Sequence, residues 1–481
     1  MVSHLAPKSL LFFAIIFGLV AGTLFYQADL GMNVALIGSL LTIAILILNR
    51  KSQFKLTKLS LALLMTAGFF ALMFGFHDAA GLKIANFGAL VIALGGSLYL
   101  ARDAEKAKAS LPALIFQPIA NLCQTLPWAY QLGNITHSNR SKNSNHSKTT
   151  SSIIVGATVA TPLLFVFGGL FYSADAMFKS HVDSVASLQF DLSHPINFLT
   201  IAAPITIFVA GIFHHYFIQA DDKKPPIVNE FIGPQQFPSS ILFKPTFNLG
   251  NIEITVILGS LVTLFATFIA TQFQSLFGGT KTIATTTGLT AAEYARSGFF
   301  QLVWVAALAL ITILWLDKIQ NSLTKTNKWL IRSLITLVFF VIGSAALRMA
   351  VYTSTFGLTE LRLYTSVFMV WIAIAFAWLI PTVTTNNPKK FGFGALTAGF
   401  AVIAIMNFAN PEAIITRTNL AMKSPDLQYI ATLSADARVE WQNNPSVTSE
   451  TRKVLIDRTY SKQKNSDWRS ANLSQFLTKK Y

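Results

Sequence analysis

Residues 328–350 read KWLIRSLITLVFFVIGSAALRMA, with no charged side chain between Arg332 and Arg348. Wound as an α-helix, such a stretch reaches across a bilayer core of roughly 30 Å, which takes about 20 apolar residues. It shows no period-2 alternation, so it does not read as a strand of a membrane barrel, and a helix satisfies its own backbone in hydrocarbon. Working outward, comparable stretches fall at approximately 9–27, 32–48, 57–76, 83–100, 152–172, 196–218, 252–273, 292–316, 360–380 and 391–408. The expected fold class is therefore all-α: a polytopic transmembrane helical bundle of about 11 spans, followed by a short helical extramembrane tail.

Composition points the same way. The chain has 481 residues, 53% of them hydrophobic and 12% charged, whereas a soluble protein carries about 25% charged residues. Forty phenylalanines against 21 acidic residues exclude a disordered chain and argue against an ordinary cytosolic enzyme. Cys123 is the only cysteine, so no internal disulfide is available. The first apolar run, after Lys8, is longer than a signal-peptide core and lacks a small-residue cleavage site, which fits a retained signal anchor.

Lys and Arg set the expected orientation. The alternate loops that include Arg50, Lys51, Lys55, Lys58, Arg102, Lys106 and Lys108 carry 20 of the 37 basic residues, the opposite set only 6. Acidic residues divide evenly between the sets, so the bias is cationic, which keeps that side cytoplasmic. The amino terminus is then cytoplasmic and, with eleven crossings, the carboxyl tail lies outside. The net charge of +16 is explained by this asymmetry and by anionic lipid rather than by nucleic acid. Membrane lipids are the expected partners, and no nucleic acid is.

The chain divides into residues 1–133, a four-span bundle with a cytoplasmic loop, a polar linker at 134–152, a seven-span body at 153–408, and a tail at 409–481. The linker reads NITHSNRSKNSNHSKTTSS and cannot bury enough surface to fold. The tail places Leu427, Ile430 and Leu433, then Leu473, Phe476 and Leu477, at helical spacing. That suits short amphipathic helices on the outer face or packed on one another.

Charges that hydropathy alone would forbid mark the candidate site. Glu293 and Arg296, beside Tyr294, open the eighth span; Arg348 closes the ninth; Glu360 and Arg362 open the tenth. Glu360 shares a helical face with Tyr364. A glutamate in a first turn or an arginine in a last turn suits the helix dipole, but Arg296 and Arg362 stand in first turns and oppose it. Three arginines against two glutamates leave a spare positive charge beside helix amino ends, an arrangement that attracts a carboxylate or phosphate. Two interpretations follow: an outward-facing site for an anionic solute or lipid headgroup, or a self-satisfied charge network that locks the helices.

The strings FYSADAMF (171–178), EYARSGFFQL (293–302), GLTELRLYT (357–365), NPEAIITRTNL (410–420) and DLQYIATLSADA (426–437) carry a resemblance. Over about Val155 to Ala437, outside the first four spans, the chain resembles the domain-of-unknown-function families 4153 and 4173. The resemblance implies a bacterial inner-membrane, multi-pass protein of unassigned activity, and it adds Asp175 to the candidate site.

No G-x-x-x-x-G-K-[ST], G-x-S-x-G, H-E-x-x-H or paired C-x-x-C occurs, so nothing points to a nucleotide-driven motor, an esterase or a zinc protease. His214 and His215 are neighbours about 100° apart on a helix and cannot jointly clasp one metal. No cofactor or metal is expected. The leading expectation is a non-enzymatic protein that binds, senses or moves an anionic or lipid-linked solute; the alternatives are a transferase on a lipid-linked substrate with Glu293 or Glu360 as base, or a membrane scaffold.

Overall fold

A computed structural model describes residues 6–52, 55–108, 111–125, 128–129, 131–132, 193–218, 251–277, 299–319, 324–384, 391–445, 447–460 and 467–478. The described chain forms helices α1 (Pro7–Phe25), α2 (Met32–Lys51), α3 (Lys58–Met73), α4 (Ala80–Tyr99), α5 (Leu111–Cys123), α6 (Ser193–Phe217), α7 (Asn251–Phe277), α8 (Phe299–Ile319), α9 (Lys325–Phe356), α10 (Glu360–Thr384) and α11 (Phe391–Ala409). The tail adds α12 (Pro411–Leu420), α13 (Leu427–Thr432), α14 (Ala435–Asn443), α15 (Ser449–Tyr460) and α16 (Leu473–Thr478), and no strand occurs among the described residues.

Seven of these helices are long and apolar enough to cross a membrane: α1, α2, α4, α6, α9, α10 and α11. Apolar segments at Lys58–Met73, Ala113–Leu122, Ile254–Ala270 and Val305–Leu314 are shorter. The expected span at 152–172 lies outside the described residues. α5, in a stretch expected to be loop, is instead an apolar helix packed into the carboxyl half of α4. Its Pro118 backbone comes so close to Gly95 that a Cβ there would collide with the carbonyl. After it, Trp128 stacks on His215 at 4.1 Å between ring centres.

Large apolar side chains lie on the exterior as well as in the interior. Ile84, Ile252 and Phe408 are each more than 70% exposed, while Leu10, Ile45, Leu64, Phe213 and Tyr216 are buried in one cluster and Ile331, Leu334, Val338 and Phe376 in another. In water such a surface would aggregate; lipid around the bundle makes it the expected one. Between α3, α4 and α6 the seam is closed by hydroxyls: the Ser60 Oγ donates to the Ser97 carbonyl (2.8 Å), and the Tyr216 hydroxyl donates to the Ser97 Oγ (2.8 Å).

The two ends of the bundle differ in chemistry. At the carboxyl ends of α2 and α6, cations meet helix carbonyls. The Lys55 Nζ donates to the Asn49 (2.8 Å) and Arg50 (2.9 Å) carbonyls, and the Arg102 guanidinium donates to those of His215 (3.2 Å) and Ile218 (2.6 Å). This pairing suits the negative end of a helix dipole. At the opposite end the tail laces the turns together. The Met32 N–H donates to the Ala471 carbonyl (3.0 Å), the Leu473 N–H to the Gly75 carbonyl (2.8 Å), and the Arg469 Nη1 to the Thr23 carbonyl (2.6 Å). A Cβ at Gly31 would strike the Ser470 carbonyl, so only glycine permits this approach.

Candidate functional site

The site lies where α10 begins, beneath the tail. α9 ends at Gly357, whose φ of +75° lies in the region glycine tolerates and other residues resist. The chain turns at once into α10. Asn419 of α12 clamps the turn: its Oδ1 accepts the Leu358 N–H (2.7 Å) and its Nδ2 donates to the Leu358 carbonyl (2.9 Å). The Glu360 N–H, an orphan donor of the first turn of α10, donates to the Tyr429 hydroxyl (3.0 Å).

Arg362 stands in that same first turn, yet among the described residues its guanidinium forms no ion pair with a carboxylate. Nη1 donates to the carbonyls of Phe356 (3.1 Å) and Gly357, and the group lies 4.1 Å from the centre of the Tyr352 ring. The partner is thus the negative end of α9, and this offsets the unfavourable position relative to α10. Carbonyls orient the guanidinium without neutralising its charge. Arg348 is buried on the packed face of α9, among the positions that include Val341, Ala345 and Met349. Tyr364 packs its ring against Gly81 of α4, beside Ala79, Leu82 and Met406. Glu293, Tyr294, Arg296 and Asp175 lie outside the described residues. The structure thus gathers Glu360, Arg362 and Tyr364 at one end of α10, with Arg348 inside α9.

A second constellation, which the sequence alone did not single out, joins them. Asn410 caps α12 through its Oδ1 and the Ala413 N–H (3.2 Å), and Glu412 follows in the first turn, 3% exposed. Glu412 Oε2 accepts the Ser434 N–H (2.9 Å) and hydroxyl (2.5 Å). Ser434 in turn caps α14, its Oγ accepting the Asp436 N–H (3.2 Å). Asp436, fully buried, points away from its own helix and accepts the N–H groups of Asp78 (3.0 Å) and Ala79 (3.1 Å), with His77 Nδ1 at 3.4 Å. Those N–H groups open α4, whose own N-cap position is Ala79 and offers no side-chain acceptor.

The exchange is reciprocal. The Asp78 carboxylate accepts the Ala435 N–H (3.3 Å) at the start of α14, and also Lys83 Nζ (3.1 Å), Asn472 Nδ2 (2.9 Å) and Gln475 Nε2 (3.0 Å). Burial pushes the Asp78 carboxyl up, but Lys83 and these donors outweigh it and hold it below the usual aspartate value. Just below, Asn86 of α4 and Asn407 of α11 exchange amide hydrogen bonds of 2.8 and 2.7 Å, both fully or nearly fully buried. Around this seam the carboxylates of Asp78, Glu360, Glu412 and Asp436 stand against Lys83, Arg362 and Arg438. No group of three or more His, Cys, Asp or Glu with metal-binding geometry occurs among the described residues.

Beside the acidic seat, an apolar cleft of about 340 Å³ separates α9 from α10. Ala346, Met349, Ala350, Met369 and Ala373 line it, with Thr353 and Ser366 as its polar groups. Arg362 lies one turn outward from Ser366 on the same face of α10, and its own carbonyl accepts the Ser366 hydroxyl at 2.8 Å.

The signal for the second constellation was present in the sequence as GLTELRLYT, NPEAIITRTNL and DLQYIATLSADA, and these three stretches supply Leu358, Glu360, Arg362, Tyr364, Glu412, Asn419, Tyr429, Ser434 and Asp436. What it lacked was any indication that polar residues of a hydrophilic tail would be buried.

Fold and site together define a multi-helix membrane protein whose carboxyl-terminal tail of short helices is docked on one end of its bundle. A family model described as a domain of unknown function (DUF4153) matches residues 13–443, and the chain belongs to that family. The match begins within α1, so the first four helices, which the sequence resemblance left out, are inside the family region; they share the bundle and the tail contacts with the rest. No curated protein and no solved structure matches the chain.

Proposed function

We propose that this protein binds an anionic amphiphile, a lipid or lipid-linked solute, with its apolar part in the α9–α10 cleft and its charged head at Arg362. The observation that carries this reading is the succession along one face of α10: a guanidinium held by carbonyls, with no carboxylate partner among the described residues, then Ser366, then the apolar walls at Met369 and Ala373. A chain in the cleft would remove apolar surface from competition with bulk lipid only weakly, so the head group must supply the selectivity. Arg348, and the arginine and glutamate of the eighth span, Arg296 and Glu293, belong to this reading as further elements of an outward anionic site.

The sidedness is part of the proposal. The cationic end with Arg50, Lys51, Lys55 and Arg102 faces the cytoplasm, and the tail, the cleft mouth and Arg362 face outward from a bacterial inner membrane. The separation of cationic and tail-capped ends within the bundle supports it.

The test is native mass spectrometry of the purified protein presented with phosphatidylglycerol and with phosphatidylcholine. Retention of phosphatidylglycerol is expected to exceed that of phosphatidylcholine, to fall in Arg362→Gln, and to be lost in Ala346→Trp, which fills the cleft. Equal retention of both lipids by all three proteins would refute the proposal.

A further inference from the structure

We propose that Glu412 operates as a proton latch for the tail: a proton taken up on this carboxyl tightens the seat of α12–α14 on the start of α10 and on the α3–α4 turn. The device is independent of what occupies the cleft.

Its basis is the surroundings of one side chain. Glu412 is 3% exposed, and among the described residues no Lys, Arg or His stands within ion-pair distance of it. Both of its hydrogen bonds among the described residues fall on Oε2, from Ser434, and none of those residues donates to Oε1. The groups that face it come from every element of the seam: Asp436 and Arg438 from α14, Glu360 and Tyr364 from α10, and Tyr429 from α13, with His77 and Asp78 of the α3–α4 turn behind Asp436. Two of its neighbours are thus like charges, while the half-buried cation Arg438 feels the Glu412 charge but forms no ion pair with it among the described residues. The Tyr364 hydroxyl, buried beside the same three carboxylates, has no hydrogen-bond partner. A carboxyl so placed binds a proton on Oε1 far more readily than one in water.

Burial first, then the charges of Asp436 and Glu360, push Glu412 up to about 7 against the two Ser434 bonds, which pull it down. In an undocked tail the same carboxyl returns to its ordinary value of 4.5. The docked state therefore binds more protons between those limits, so the contribution of Glu412 to docking is complete below about 4.5 and is lost as pH rises through about 7. Above that, two buried carboxylates and Glu360 repel one another across the seam. Asp78, held low by Lys83 and its other donors, stays ionised throughout this window.

The experiment is hydrogen exchange by mass spectrometry on the full chain in lipid nanodiscs from pH 5 to 8.5, read on peptides from 426–443 and corrected for intrinsic exchange. Tail opening is expected to rise roughly 100-fold between pH 5 and 8 in the native protein. In Glu412→Gln it should stay low and flat, and in His77→Gln it should keep the native profile. A native profile retained in Glu412→Gln, a flat native profile, or a profile abolished by His77→Gln would each overturn the latch. Should Glu412→Gln fail to fold, infrared titration of the native protein decides: a protonated-carboxyl band lost near pH 7 supports the latch, and no such band overturns it.

Discussion

Replacing Asp436 by Ala removes the acceptor that the described residues offer to two N–H groups at the start of α4, Asp78 and Ala79, at a helix whose own cap position is an alanine. A buried donor left unsatisfied costs about 1–3 kcal/mol, and loss of a cap costs about 0.5–2 kcal/mol. Water entering the opened seam recovers part of this, so a net cost of about 3 kcal/mol in tail docking is expected, a shift of roughly 100-fold in its equilibrium. Asp436→Asn keeps one acceptor oxygen, turns an NH2 donor toward the other N–H and loses the charge at a helix amino end, so it should cost about 2 kcal/mol. Hydrogen exchange at fixed pH on peptides spanning 426–443 and 467–478 measures both. Asp78→Ala acts across the same seam, so the double variant should fall short of the sum of the two single effects. If Asp436→Ala changes protection by less than about 0.5 kcal/mol, the value expected of an unremarkable surface substitution, the capping argument is wrong.

Other substitutions probe the remaining joints. Gly357→Ala forces a Cβ onto a φ of +75° and to within 2.8 Å of Asn419 Oδ1, so thermal stability should drop by about 1–3 kcal/mol, read as the melting temperature in detergent. Asn407→Leu strands the Asn86 amide and should cost about 1–2 kcal/mol, with the paired Asn86→Leu recovering part of it. Gly31→Val should displace the segment around Ser470 and expose Arg469 to trypsin without unfolding the bundle. Because Asp78 is held below the ordinary aspartate value, its contribution to docking is present above pH 3.8 and is lost as pH falls below it; protection of the 467–478 peptide in Asp78→Asn should be lower than native at pH 6 and converge with it in acid.

Much of the bundle was legible because lipid imposes a plain rule, long apolar helices, and α9 satisfies it in its sequence. The gathering of Arg50, Lys51 and Lys55 at one end was likewise visible as a count of cations. α5 was missed because its apolar run is short and lies between polar stretches, so length alone marked it as loop. Arg362 was read as wanting an anion, since its own helix dipole repels it; the structure answers with the carbonyl end of the preceding helix, a partner only the turn at Gly357 brings near. Asp436 was missed for a different reason. Its acceptor role depends on Asp78, 358 positions away, and on α4 lacking a cap of its own. Glu412 likewise reads as an exposed helix-start glutamate until Ser434 and the tail cover it.

The docking of the tail on the α3–α4 turn can be measured with a single pair of cysteines. The Ser474 N–H and hydroxyl both reach the Phe76 carbonyl, at 3.4 and 3.1 Å, which places these two residues side by side. In a Cys123→Ser background, Phe76→Cys with Ser474→Cys should form a disulfide in intact membranes on mild oxidation, and adding Asp436→Ala should slow it. A pair that remains fully reduced while each cysteine alone reacts with a small thiol reagent would mean that the tail does not cap this end of the bundle.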